Sequence, residues 1–287
     1  MRRLGVHTSI AGGLHLSIER AKALGCNTLQ IFSHNPRGWS VKPISREDIL
    51  IFKTIRARYD ISPVYIHASY LINMASRDNI LRKKSIDMLL TEMNRADAIV
   101  ADYVILHTGS AGGDDENVAR RRAVDALNKV AQAGQWKAGL LIENTAGEKG
   151  DISSTMRDLS EIMTGVKSPL LSGICLDTCH AFAAGYNIRD DKSIQRIVDE
   201  IKKYIGLDNV KLIHLNDSKG DIGSCIDRHE HLGLGKIGMI GLKQFINCES
   251  FRDVPLILET PKKREYDDMR NLRKVKMILS KKDSSRF

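Results

Sequence analysis

Residues 103–143 carry the pattern that decides the fold: Tyr103-Val104-Ile105-Leu106-His107, then a helical stretch from Glu116 to Ala133, then Gly139-Leu140-Leu141-Ile142-Glu143. The two flanks are short apolar runs bounded by turn residues, which read as buried strands, and the stretch between them recurs at helical period. The same unit repeats outward in both directions. Strand-like runs lie at Arg3 to His7, Thr28 to Phe32, Val64 to His67, Tyr103 to His107, Gly139 to Glu143, Gly173 to Asp177, Val210 to His214 and Val254 to Glu259. Helical stretches include Leu14 to Leu24, Ser45 to Tyr59, Arg77 to Val100, Glu116 to Ala133, Met156 to Thr164 and Ser193 to Ile205. Eight alternating β-α units imply parallel strands joined by right-handed crossovers, and eight is the number that closes a (β/α)8 TIM barrel. Ser45 followed by Asp48 has capping-box-like spacing, and Asp191 leads into the helix read from Ser193. No Pro-, Gly- or Ser-rich linker interrupts the series, so residues 1–287 are expected to form a single domain.

The composition, with 42% hydrophobic and 28% charged residues in a chain of 287, is that of a globular protein and excludes disordered and fibrous classes. A formal charge of +9 favours a polyanionic partner such as nucleic acid. Residues 262–287 hold ten Lys or Arg against four Asp or Glu. Met269, Leu272, Val275 and Ile278 recur there at helical spacing, so the stretch reads first as a last helix with solvated charged faces. Five cysteines, Cys26, Cys175, Cys179, Cys225 and Cys248, make no C-x-x-C pair and indicate neither a disulfide framework nor a zinc ribbon. Cys175 and Cys179, on either side of Asp177, read as small apolar fillers rather than thiolate ligands. The N-terminus lacks the apolar segment of a signal peptide and no apolar run of membrane-spanning length occurs, so a cytoplasmic protein that is neither secreted nor membrane-spanning is expected.

Six consecutive strands run through apolar residues and stop at a side chain able to bind a metal: His67, His107, Glu143, Asp177, His214 and Glu259. Their separations of 40, 36, 34, 37 and 45 residues are one β-α unit each, which delivers all six to the same end of a barrel. Side chains two apart share a face, so Tyr65, Ile105, Leu141, Cys175, Leu212 and Ile257 should lie inside the barrel beneath them. His180 follows Asp177 by three residues, and Asp227-Arg228-His229 sets a carboxylate and an imidazole on one face of an extended segment, with His231 on that face two residues further. Burying so many imidazoles and carboxylates without a cation is costly, and five His with four carboxylates exceed one tetrahedral site, so about two or three divalent ions are expected. Mixed nitrogen and oxygen ligation without thiolate suits Zn, Mn or Fe, with Zn favoured by the His content. Clustered divalent ions commonly serve phosphodiester hydrolysis, while sugar isomerisation and amide hydrolysis stay open at this point.

These residues resemble the endonuclease IV family of zinc-dependent apurinic/apyrimidinic endonucleases. The resemblance runs from Gly5-Val6-His7-Thr8-Ser9-Ile10-Ala11-Gly12-Gly13 to Leu258-Glu259-Thr260-Pro261. Its most specific stretches are Leu176-Asp177-Thr178-Cys179-His180-Ala181-Phe182-Ala183-Ala184-Gly185-Tyr186, His214-Leu215-Asn216-Asp217-Ser218-Lys219, and Asp227-Arg228-His229-Glu230-His231 followed by Gly233-Leu234-Gly235. The resemblance implies about three Zn2+ per chain, with Mn2+ admissible at one site. By position, His67, His107 and Glu143 would hold the first; Glu143 as a bridge with Asp177, His214 and Glu259 the second; His180, Asp227 and His229 the third. Glu259, with Glu143 the catalytic pair, would also orient or deprotonate the attacking water. Arg37, Tyr70 and Leu71 match the family positions that enter the minor groove beside a flipped abasic nucleotide. The implied activity is incision 5′ to abasic sites in double-stranded DNA, leaving a 3′-hydroxyl and a 5′-deoxyribose phosphate, with trimming of blocked 3′ ends. A monomer is expected, because a bent duplex needs the barrel mouth clear. The rival readings are a metal-dependent sugar isomerase or epimerase, which leaves His180, Asp227 and His229 without a use, and a DNA-binding protein with structural zinc.

Overall fold

The computed structural model describes residues 2–283, so Met1 and the last four residues of the basic C-terminal stretch lie outside the described residues. Eight parallel strands make one sheet: β1 (Leu4–Val6), β2 (Leu29–Ile31), β3 (Val64–His67), β4 (Tyr103–Leu106), β5 (Gly139–Glu143), β6 (Leu171–Asp177), β7 (Val210–His214) and, after a short antiparallel pair β8 (Asp217–Ser218) and β9 (His229–Glu230), β10 (Leu256–Leu258). The spatial order β1-β10-β7-β6-β5-β4-β3-β2 brings the first and second strands to the two edges. The edges meet through a parallel bridge between His7 and Gln30 and the Thr8 N–H, which donates to Gln30 O at 2.7 Å, so the barrel is nearly closed. Gly5 permits this approach, since a Cβ there would collide with Thr28 O.

Helices α1 (Leu14–Ala23), α2 (Arg46–Tyr59), α3 (Asn79–Ile99), α4 (Glu116–Ala133) and α5 (Met156–Gly165) cover the first five crossovers. The short α6 (Thr178–Ala183) continues directly from β6, and α7 (Asp191–Tyr204), α8 (Gly238–Asn247) and α9 (Asp267–Asp283) complete the outer ring. Side-chain caps mark several starts: Asp48 N–H donates to Ser45 Oγ at 3.0 Å, as the spacing predicts. The start of α7 lies earlier than the sequence suggests. Asp190 is the cap, accepting from Ser193 N–H at 2.8 Å, and Asp191 is already helical, because two adjacent aspartates offer two registers and only the first leaves Ser193 at the third helical position. In α9, Leu272 and Val275 are buried, whereas Met269 is exposed. Two of its basic residues are tied down: Lys274 caps Leu232 O and Lys276 caps Leu24 O and Gly25 O.

Two apolar layers result. The larger lies between sheet and helices, where fully buried residues such as Ile18, Phe52, Leu89 and Phe245 each contribute about 1.5–3 kcal/mol. The smaller fills the barrel and consists of Tyr65, Ile105, Leu141, Cys175, Leu212 and Ile257, the six residues that strand alternation places two positions before the metal-competent side chains. It forms the floor of the site.

Candidate metal centre

The strands deliver the expected side chains from adjacent positions: His67, Glu143, Asp177 and His214 end their strands, and His107 and Glu259 stand one residue beyond the ends of β4 and β10. Glu143 is the hub. His67 Nε2 and His107 Nε2 lie 3.5 and 3.2 Å from its Oε2, and His214 Nδ1 and His180 Nδ1 lie 2.9 and 3.3 Å from its Oε1. His214 Nδ1 also approaches Glu259 Oε2 at 3.2 Å and Asp177 Oδ2 at 3.9 Å. Outside this ring, Asp227 Oδ1 is 3.1 Å from His180 Nε2 and 3.5 Å from His229 Nε2. Three groups therefore have ligand atoms close enough to share one ion each: His67, His107 and Glu143; Glu143, Asp177, His214 and Glu259; His180, Asp227 and His229. Sets containing Cys175 or Cys179 are equally close, but burial pushes both thiols up to about 12 and Cys175 belongs to the apolar floor.

The electrostatics of this cluster favour cations. Burial would raise the Glu143 carboxyl, yet the charges of His214 and His107 hold it well below the usual carboxylate range. Glu259 behaves alike, with the charge of His214 the largest influence against its burial. Burial works against charge on His180, and Asp177, Asp227 and Glu143 reverse it, so the imidazole is held well above its ordinary value. Fully buried Glu143 Oε2 has no hydrogen-bond partner among the described residues, although two imidazole nitrogens face it. An orphaned, ionised oxygen between nitrogen donors is the arrangement a divalent ion completes, so these residues fit a metal.

Partners behind the cluster fix His67, His180, His229 and His214. His67 Nδ1 donates to Ala68 O at 2.8 Å and His229 Nδ1 lies 3.1 Å from Glu259 O, so Nε2 of each faces the cluster, while His180 Nδ1 lies 2.9 Å from Asn144 O beside Glu143 and its Nε2 faces Asp227. In His214 the roles reverse: Nε2 meets Gln30 Oε1 at 2.7 Å and Nδ1 faces the cluster. Two asparagines brace the carboxylates. Asn144 Oδ1 accepts from Asp177 N–H at 2.7 Å, and Asn216 donates to Asp177 Oδ2 at 2.7 Å while accepting from Glu259 N–H at 2.9 Å. Sequence reasoning did not single out Asn144, Asn216 or Gln30. The signal for the first two was their place one or two residues after Glu143 and His214; for Gln30 it was a lone amide within an apolar strand.

The segment carrying Asp227 and His229 is tied to the barrel by a different device. Buried Asp217 on β8 accepts five backbone N–H bonds: Gly233 and Gly235 at Oδ2 (2.8 and 3.1 Å), Ser218, Ile237 and Gly238 at Oδ1 (2.9, 3.0 and 3.3 Å). Gly235 must be glycine, since a Cβ would collide with Ser218 O and with Asp217 Oδ1. His231 turns away from the cluster, with Nδ1 3.0 Å from Asn271 Nδ2 and Nε2 3.9 Å from Asp267.

The cluster opens into a cleft of about 940 Å³ whose lining includes His67, His107, His180, Asp227, His229 and Glu259. Phe32 and Tyr70 also line it beside His67, their rings meeting edge-on at 5.1 Å, and Tyr70 is 62% exposed. Arg37 lies on the loop after β2, and Leu71 is half-buried; neither lines the cleft. Among the described residues no helix is long and apolar enough to cross a membrane.

Residues 18–277 match the family model described as xylose isomerase-like TIM barrel. The chain is 44% identical to the probable endonuclease 4 of Halothermothrix orenii over 262 residues, covering 91% of this chain and 94% of that protein. It is 38% identical to the probable endonuclease 4 of Methanosphaerula palustris, covering 97% and 98%. The crystal structure of endonuclease IV from Thermus thermophilus superposes with a TM-score of 0.86 at 35% identity, covering 97% of this chain and 99% of that one. A D-tagatose 3-epimerase-like protein shares the fold with a TM-score of 0.73 at 19% identity, covering 99% of each chain.

Proposed function

Since the chain belongs to the endonuclease IV family, we propose that it hydrolyses the phosphodiester bond 5′ to abasic sites in double-stranded DNA, leaving a 3′-hydroxyl and a 5′-deoxyribose phosphate, and that it trims blocked 3′ ends. The observation that carries this reading is the third group, His180, Asp227 and His229, set beside the other two at the same mouth. A sugar isomerase has no use for it, whereas a phosphodiester passing through its transition state has several oxygens to neutralise.

In this reading His67, His107 and Glu143 hold one zinc ion, Glu143, Asp177, His214 and Glu259 a second, and His180, Asp227 and His229 a third, with Mn2+ as an alternative occupant of one. Bound there, divalent ions supply Lewis-acid stabilisation of phosphate charge and lower the pKa of water. The chain's own groups do the rest. Glu259, kept ionised and held by the Gln30 amide at 2.5 Å, accepts a hydrogen bond from the attacking water and orients it. Tyr70 and Phe32 offer an aromatic wall against the extruded deoxyribose, and Arg37 and Leu71, outside the cleft, meet the duplex through its minor groove. The net charge of +9 favours the DNA backbone, and the enzyme acts as a cytoplasmic monomer at the chromosome.

The test is incision of a labelled duplex carrying one abasic analogue, beside an undamaged duplex, by the native protein and His107→Ala, with bound metal quantified in both. Cleavage immediately 5′ of the analogue, about three zinc ions bound, and a fall of both in the variant are expected. Zinc bound without cleavage of either duplex overturns the reading.

A further inference from the structure

Resting on that reading, we propose that Gln30 is a positioning residue of the metal centre, its amide deciding which nitrogen of His214 is free and which way the Glu259 carboxylate faces. Gln30 is fully buried on β2, in register with Tyr65, which belongs to the apolar floor of the barrel. An amide at that level is costly unless every polar atom is satisfied. Its side-chain hydrogen bonds all run to titratable residues of the site: Oε1 lies 2.7 Å from His214 Nε2, and Nε2 lies 2.5 Å from Glu259 Oε1 and 2.9 Å from His7 Nδ1.

The chemistry of these partners leaves one arrangement. An ionised carboxylate only accepts hydrogen bonds, so the NH2 of Gln30 faces Glu259 and the carbonyl faces His214. His214 must then carry a proton on Nε2, which leaves the Nδ1 lone pair for the cluster. The second amide hydrogen goes to His7 Nδ1, so His7 is an acceptor there. One planar group thus couples the tautomer of a ligand on β7 to the orientation of a ligand beyond β10. It does so from β2, on the far side of the β1–β2 seam, whereas β7 and β10 are joined to each other by their own ladder. Gln30 does not line the cleft, so its influence on DNA binding is small compared with its influence on metal retention and turnover.

Gln30→Met keeps shape and burial while removing all three hydrogen bonds. The expected result is half-loss of zinc at about 10-fold lower concentration of a competing chelator, and a fall in kcat of similar size on an abasic duplex with KM within about twofold. Thr28→Val serves as the structural control, since it deletes the buried bond from Thr28 Oγ1 to Pro63 O ahead of the same strand without touching the site. It should lower the melting temperature of the zinc-loaded protein yet leave chelator resistance unchanged. Should Gln30→Met fail to fold, Gln30→Asn withdraws the amide by one methylene and gives the same two readings. Wild-type chelator resistance in the folded variant overturns the positioning role and leaves the proposed function standing. A wild-type protein that holds zinc but spares the abasic duplex overturns the function, while early zinc loss in the variant still supports the positioning role.

Discussion

Glu143, Asp177 and His214 stand at the ends of β5, β6 and β7 with wholly shielded side chains, whereas Asp227 sits in the segment leading into β9 with 45% of its side chain exposed. The first group inherits its positions from the strand ladder, in which β5, β6 and β7 each pair with neighbours on both sides, and from Asn144 and Asn216 behind it. The second reaches His180 because β8 and β9 pair, Asp217 gathers the backbone around it, and the Gly223 and Cys225 N–H groups donate to Phe182 O and Ala183 O of α6. One half of the centre is built like a core and the other like a clasp. A strand-borne ligand is therefore hard to move and expensive to mutate, while a loop-borne ligand can be loosened separately from the barrel.

The largest expected effect comes from breaking the core half at its hub. Glu143→Gln removes the carboxylate shared by two of the three groups, so on the proposed function incision should fall by about 10³-fold and more than one zinc ion should be lost. Retention of all bound zinc in this variant, measured by elemental analysis, would show that the hub is no bridge. A smaller and more local effect is expected from the clasp. Asp217→Asn weakens several charge-assisted bonds to backbone N–H groups, costing about 1.5–3 kcal/mol, and on the proposed occupancy of three zinc ions should release one while the other two stay. Loss of all three together would mean that the two halves are not separable.

The smallest effect is on the acid limb of stability. Burial would raise Asp227, but hydrogen bonding to His180 and the charges around it bring it down to about 2. A depressed carboxylate contributes stability that is complete above the ordinary value of 3.8 and is lost as the pH falls from there towards about 2. The melting temperature of metal-free wild-type protein should therefore exceed that of Asp227→Asn at pH 5, and the gap should close between about pH 4 and pH 2. A gap that persists at pH 2 would assign the difference to packing.

The same division governs what the amino-acid sequence reveals. Strand-borne groups are legible from spacing, because each β-α unit must return to the same mouth and an apolar run that stops at His or Glu marks where. The interior layer followed from alternation alone, down to Cys175 and Leu212. Asp227 and His229 were legible only through the resemblance and their two-residue spacing, since nothing in local propensity says that a loop folds back over a barrel. The roles of Asp217, Asn144 and Gln30 were not legible, because a buried amide or carboxylate is recognised by its partners: for Asn144 and Gln30 these lie on other strands, and for Asp217 they are mostly backbone N–H groups of a later loop, which no letter marks. The misplaced start of α7 has a local cause: Asp190 and Asp191 are equivalent as letters and differ only in which backbone N–H they reach.

The pairing of β1 with β10 also sets a timetable for biosynthesis. A ribosome delivers the chain from its N-terminus, so β1, bridged to β2 early, waits for its ladder partner, whose first residue, Leu256, emerges 250 positions after Val6. Glu259 follows β10 directly, and His67, His107 and Glu143 are complete long before it. On the proposed function, a nascent chain can thus acquire the first ion early but lacks the residue that orients water until the barrel has its last strand. The cutting activity is in this way withheld from every incomplete chain, without an inhibitor or a separate maturation step.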